Sequence, residues 1–120
     1  MVNIESFRSY CLSKPGTSEG LPFGDTTLVF KVMGKMFSLC SVDNFDFINL
    51  KCDPERALEL RDQYPAICPG YHMNKKHWNS VYIDGSLSDT LIYELVDHSY
   101  DLVAASLTKQ LKQELAELKG

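Results

Sequence analysis

Residues 26–42 read Thr26-Thr-Leu-Val-Phe-Lys-Val-Met-Gly34-Lys-Met-Phe-Ser-Leu-Cys-Ser-Val42. Leu28, Phe30 and Val32 fall on one side of a period-two pattern, and Val29, Lys31 and Met33 fall on the other. Such alternation describes a half-buried strand. Gly34-Lys35 marks a tight turn, and Met36 to Val42 reads as the strand returning from it. Asp43-Asn44 makes a second turn, and Phe45 to Lys51 reads as a third strand. In that strand Ile48 and Leu50 share one face, while Phe45, Phe47, Asn49 and Lys51 share the other. Strands joined by such short turns pair antiparallel, so the segment is a meander.

Helical patterns lie on both sides of it. Upstream, Asn3 is placed to cap a helix whose Ile4, Phe7, Cys11 and Leu12 recur at helical spacing. Pro15 and Gly16 end it, and Thr17 to Asp25 is expected to be a loop or an irregular edge strand. Downstream, Asp53-Pro54-Glu55 starts a second helix: a capping carboxylate, a proline at the first helical position and an acid at the positive dipole end. Its inner stripe is Ala57, Leu60 and Tyr64, and Pro65 stops it. Ala66 to Lys76 is expected to be irregular, and Trp78 to Ile83 to be a fourth strand. Ser88 caps a long helix with a wide apolar stripe from Leu91 to Val103. Thr108 restarts a terminal helix, or a frayed tail, through residue 120. The expected fold is a single α+β domain over residues 1–120, with its core at about 3–107. Its antiparallel sheet carries helices packed on one face.

Composition narrows the function classes. The chain has 120 residues, 44% hydrophobic and 23% charged, which is ordinary for a globular domain. A chain of this size buries enough surface to fold without a disulfide or a metal. Cys11, Cys40, Cys52 and Cys68 are far apart and form no Cys-x-x-Cys pair. The N-terminal Met-Val-Asn-Ile-Glu-Ser-Phe-Arg has an acid and no apolar run, so reduced thiols and a cytoplasmic location are expected. No stretch has the roughly 20 apolar residues of a membrane span, and a monomer is expected.

The most unusual stretch is Pro69-Gly-Tyr-His-Met-Asn-Lys-Lys-His-Trp-Asn-Ser80. No acidic residue occurs between Asp62 and Asp84, although the chain's net charge is −4. Lys75 and Lys76 suit phosphates, and Asn74 and Asn79 suit base edges or sugars. Tyr71 and Trp78 offer flat faces on which a base stacks. Asn49 and Lys51 join this set if their sheet face lies beside the loop. A structural reading stands against this, because a tryptophan at a strand start usually fills core and loop histidines usually anchor backbone.

The stretches Tyr10-Cys-Leu-Ser-Lys-Pro-Gly16, Ile48-Asn-Leu-Lys-Cys-Asp-Pro54, Pro69-Gly-Tyr-His-Met-Asn-Lys-Lys-His-Trp78 and Asp97-His-Ser-Tyr100 resemble the MmcQ/YjbR family. The likeness runs in order from about Asn3 to Leu107. The resemblance implies a CyaY-like, frataxin-like α+β fold, similar also to the "double-wing" DNA-binding domain of the phage transcription factor MotA. It implies DNA binding, with Asn49, Lys51, His72, Asn74, Lys75, His77 and Trp78 at the matching motif positions. Iron binding of the frataxin kind is not implied. That chemistry needs clustered carboxylates on the first helix and strand, and here that region offers only Glu5, Glu19 and Asp25.

The expected function is DNA binding through an exposed sheet face and the segment from Asn74 to Asn79. Asn49, Lys51, His72, Asn74, Lys75, Lys76, His77, Trp78 and Asn79 are the candidate residues. The alternative is a module that uses the same patch for a small anion or a partner protein. No nucleophile elbow, phosphate loop or dinucleotide fingerprint occurs, so neither catalysis nor a cofactor is expected. Cys68, His72 and His77 do not have the spacing of a standard zinc site.

Overall fold

A computed structural model describes residues 1–119. The elements are α1 (Ile4–Leu12), β1 (Thr17–Gly20), β2 (Thr27–Val32), β3 (Lys35–Ser41), β4 (Phe47–Lys51), α2 (Pro54–Gln63), β5 (Ile67–Pro69), β6 (Trp78–Tyr82), α3 (Asp89–Ala105) and α4 (Lys109–Lys119). All strands pair antiparallel in one six-stranded sheet of order β1-β2-β3-β4-β6-β5. The fold class is α+β, as expected.

The sheet is larger than the four strands that the periodicity predicts. Thr17–Gly20 forms the edge strand β1, and Ile67–Pro69 forms β5 inside the stretch expected to be irregular. Three residues are too few for a period to register, and the pairing of β5 comes from β6 rather than from its own pattern. The hairpin between β2 and β3 turns on Met33-Gly34, one residue earlier than Gly34-Lys35. Both turn residues have positive φ, 49° and 86°, as the tight turn matching strand twist demands. β4 begins at Phe47, not Phe45. Phe45 precedes the strand and packs inward on Phe7, with ring centroids 5.6 Å apart.

The register of β3 shifts between Phe30 and Lys31, which pair with Ser38 and Met36. Phe37 is therefore the extra residue of a bulge, and it and Ser38 both lie on the helix side. Phe37 is fully buried and meets Tyr100 edge-on at 5.5 Å. The main core lies between this sheet face and α1 and α3, around Phe7, Phe30, Ile48, Val96 and Val103. Cys11, Cys40 and Cys52 are buried within it. Burial pushes the Cys40 thiol up to about 12 and the Cys52 thiol up to about 11.

Two of the family-like stretches meet on this side as a structural lock. The Tyr10 hydroxyl donates to Asp97 Oδ1 at 2.6 Å, and Lys14 Nζ pairs with the same oxygen at 2.5 Å. Burial, then Asp97, pushes the Tyr10 hydroxyl up to about 12. The Tyr100 hydroxyl donates to the Pro15 carbonyl at 2.5 Å. Ser99 Oγ accepts from the Lys51 N–H at 2.9 Å and donates to the Phe37 carbonyl at 2.5 Å, so α3 is pinned to β3 and β4.

His98 Nε2 accepts the Asp53 N–H at 3.1 Å, at the cap of α2. That bond requires an unprotonated nitrogen. Burial first, then Arg56, lowers the His98 pKa below 6.5, against Asp53 and Asp101. The unfolded chain therefore binds a proton at His98 that the folded chain resists. Stability contributed here is full above about 6.5 and falls as pH drops toward the folded pKa. We predict that urea unfolding will show a smaller loss between pH 7.5 and 5 in His98→Gln than in the parent. Equal losses in the two proteins would remove His98 as the cause.

Candidate binding cleft on the open sheet face

The opposite sheet face is set by register. Val29 pairs with Leu39, Leu39 with Asn49, and Asn49 with Ser80. Alternation then adds Thr27 and Lys31 on β2, Met36 and Ser41 on β3, Phe47 and Lys51 on β4, and Trp78 and Tyr82 on β6. None of these residues is acidic. Glu19 of β1 sits opposite Phe30 and turns the other way, where it takes the Arg8 guanidinium at 2.7 and 2.5 Å. The face has its own small core of Val29, Leu39 and Trp78, with Met36 and Met73 packed against it and no helix residue in the cluster.

The loop between β5 and β6 folds over this face, and its shape is held from both sides. From below, Tyr71 N–H donates to Ser80 Oγ at 2.9 Å, and Ser80 Oγ donates to Asn49 Oδ1 at 2.5 Å. Asn49 Nδ2 in turn donates to the Tyr71 carbonyl at 3.3 Å. This closed circuit explains how an asparagine 4% exposed is accommodated in the sheet. From the helix side, Arg61 of α2 donates to Asn79 Oδ1 at 2.7 Å, to the Trp78 carbonyl at 3.2 Å and to the Lys75 carbonyl.

Between the loop and the sheet lies a mainly apolar cleft of about 420 Å³. Its floor is Leu39, Met36 and Phe47, and one wall is Tyr71, His72 and Met73. Phe23, from the β1–β2 loop, also lines it. Phe23 and Tyr71 are 68% and 56% exposed, so their rings are open to a ligand. Asn49, Thr27 and Ser41 supply its sparse polar groups. His72 has φ 58°, a left-handed backbone uncommon outside glycine, and its ring lies 4.0 Å from that of Tyr71.

The nine residues singled out from sequence divide into four groups. Asn49 and His72 line the cleft. Lys51 lies on the same sheet face two residues beyond Asn49, opposite Trp78. Lys76 is exposed, and His77 is half-buried with its carbonyl taking the Cys52 N–H at 2.7 Å. The other four have structural engagements. Asn74 Oδ1 accepts the Lys76 and His77 N–H groups at 3.0 and 3.3 Å, forming a local turn. Lys75 Nζ donates to the Gly70 carbonyl at 2.8 Å. Trp78 is packed in the small core. Asn79 pairs with Leu50, on the helix side, and its oxygen is held by Arg61. The segment from Asn74 to Asn79 is thus not one surface, because β6 sends alternate residues to opposite faces.

Sequence reasoning did not single out Phe23, Lys31, Met36, Leu39, Phe47 or Arg61. Only the Phe47-Asn49-Lys51 alternation signalled one of them in advance, since it puts Phe47 beside two named candidates. Among the described residues no group of three or more His, Cys, Asp or Glu is placed to hold a metal ion. No described helix is long and apolar enough to cross a membrane.

The YjbR family profile matches residues 12–102, which span the lock apart from Tyr10, the open sheet face and the loop over the cleft. The chain belongs to the YjbR family. Among YjbR relatives, the uncharacterized protein YbdF of Escherichia coli O157:H7 is 43% identical over 88% of this chain and 88% of its own. The uncharacterized protein YjbR of Escherichia coli K12 is 36% identical over 98% of this chain and 100% of its own. A Deinococcus radiodurans crystal structure with a DUF419 domain superposes with a TM-score of 0.89 at 42% identity, over 97% of this chain and 89% of that one. A Pseudomonas syringae crystal structure gives 0.71 at 29% identity, over 84% and 98%. The resemblance seen in the motifs is therefore real, and the YjbR fold is shared by solved relatives.

Proposed function

We propose that this YjbR protein is a non-catalytic module that binds DNA on the open face of its sheet. The observation that carries this reading is the partition of charge. A chain of net charge −4 keeps every carboxylate off the strand positions of one sheet face. Lys31 and Lys51 stand on that face, with Lys76 at the end of the loop above it. Local positive potential on an acidic protein attracts a polyanion to one place and discourages it elsewhere. The apolar lining of the cleft argues against the runner-up, capture of a small anion, since a desolvated anion needs paired cations.

Lys75 is engaged with the Gly70 carbonyl, so the test falls on Lys51 and Lys76. In fluorescence anisotropy with labelled oligonucleotides, Lys51→Ala/Lys76→Ala is expected to weaken binding. The slope of log Kobs against log salt should fall in magnitude by about 1.5, the counterion release of two phosphates. A parent protein that binds no oligonucleotide at 50 mM salt, or a double variant with unchanged affinity and slope, would falsify the reading.

A further inference from the structure

The cleft beneath Tyr71 has features that phosphate contacts do not use. We infer that it receives one unstacked base, so that the DNA bound on this face is single-stranded. This inference rests on the DNA reading above and narrows it.

Three observations converge. The first is the geometry of the aromatic rings. Tyr71 and Phe23, both more than half exposed, line the same recess, and Phe47 on the sheet lines it with them. Phe47 lies 5.9 Å from Tyr71 with the ring planes at 86°, and His72 flanks Tyr71 at 4.0 Å, so aromatic rings cluster at this wall. Ring faces inside a recess are useful only to a partner ring that enters it. In a duplex every base has both faces covered by its neighbours, so it enters only after leaving the stack. Single-stranded DNA presents its bases without that cost.

The second is the sparse, placed polarity of the recess. Asn49 uses its oxygen on Ser80 and one amide hydrogen on Tyr71, which leaves its second amide hydrogen as a donor. Thr27 and Ser41 add hydroxyls at the margin. One donor and two hydroxyls within apolar walls suit the polar edge of a flat heterocycle, and discriminate weakly among bases. The third is the preparation of the rim. His72 is held at positive φ beside Tyr71, at the end of a backbone fixed by the Asn49–Ser80 circuit. Backbone held in a sparsely populated conformation gathers at ligand clamps.

The charges complete the arrangement from outside the recess. Lys51 lies roughly 7 Å along β4 from Asn49, at about 3.4 Å per residue. A base in the cleft therefore keeps its neighbouring phosphates within reach of the lysine side of the face.

The test compares a labelled mixed-sequence 15-mer, its 15-base-pair duplex and free deoxynucleosides at one salt concentration. The single strand is expected to bind at least about tenfold more tightly than the duplex. Tyr71→Ala should weaken the single strand by roughly 5- to 150-fold, as loss of a stacking partner does, and leave the salt slope unchanged. Tyr71→Trp should retain binding. Tyr71 contributes only its backbone to the circuit, so both variants keep the fold, as far-ultraviolet circular dichroism will verify. Duplex bound as tightly as single strand, with Tyr71→Ala unchanged, overturns base capture and leaves DNA binding standing. No binding of either form overturns both. Binding of free nucleosides without binding of the 15-mer also overturns both and makes the cleft a small-molecule site.

Discussion

Arg61→Ala is expected to lower the free energy of unfolding by about 2–4 kcal/mol and to release the loop over the cleft. Arg61 joins α2 to both the Asn79 side chain and the carbonyls of Trp78 and Lys75. Asn79 is 2% exposed, so removing the guanidinium leaves a buried acceptor without a partner. A deserted buried polar group costs about 1–3 kcal/mol, and bonds to a charged donor stand at the upper end. Arg61→Lys should recover little, because an ammonium cannot reproduce the planar fork that reaches several acceptors. Arg61→Met combined with Asn79→Leu should recover much of the loss, since it removes both partners together. Urea unfolding followed by Trp78, the only tryptophan, measures both stability and exposure of the loop's small core. A loss below about 0.5 kcal/mol in Arg61→Ala, which is the range of ordinary surface substitutions, would show that the clamp does not hold the loop.

Gly70→Ala is the second large effect, and its cause is space. A Cβ on Gly70 would lie 2.8 Å from Trp78 Cβ, 2.9 Å from the Trp78 carbonyl oxygen and 3.0 Å from Met73 Cβ. Two of these neighbours are fixed: one is backbone of β6, and the other is the first carbon of a packed side chain. The Gly70 N–H also donates to that Trp78 carbonyl at 2.8 Å, so the loop cannot retreat without losing the bond. Overpacking of this kind costs about 1–3 kcal/mol. The displaced segment begins one residue before Tyr71, so the wall of the cleft moves with it. Gly70→Ala is expected to lower the thermal midpoint and to blue- or red-shift Trp78 emission as its contacts with Met73 change. A variant with parental midpoint and emission would mean that the loop tolerates the methyl group, and that the cleft is softer than its contacts imply.

How much of this was legible in advance depends on the range of the interaction concerned. The caps Asn3, Asp53 and Ser88 all accept the backbone N–H three residues on, as their residue types foretold. Period-two alternation located β2, the turn after it located β3, and the run from Trp78 to Ile83 located β6, each within about one residue. Strands of three or four residues, β1 and β5, lacked enough length for a pattern and exist because a longer neighbour pairs with them. The bulge at Phe37 was invisible for a related reason: an extra residue is defined only against the partner strand.

The candidate site divides in the same way. The acid-free run after Asp62 was plain to read, and it pointed to the loop that walls the cleft. Its residues nevertheless serve different ends. Asn74 and Lys75 satisfy nearby backbone groups, which is what short-range polar chemistry predicts. Asn79 and Trp78 occupy opposite faces of β6, a consequence of alternation that the run of polar letters concealed. Phe23 and Phe47 entered the site from elsewhere in the chain.

By itself, then, the stretch from Thr26 to Val42 determined a hairpin with one buried face, and the motifs around it determined the YjbR family. Those are local or collinear properties, set by alternation, turn geometry and residue order. Only the tertiary structure decided that the second sheet face has a small core with no helix residue in it, and that its strand positions are free of carboxylates. Only it decided that Arg61 clamps the loop, and that Phe23, Phe47 and Tyr71 meet around one cleft. Each of these depends on which strands lie side by side and on which face a residue emerges. That is a matter of long-range pairing and register, and a one-residue slip would reverse every side chain of the strand concerned.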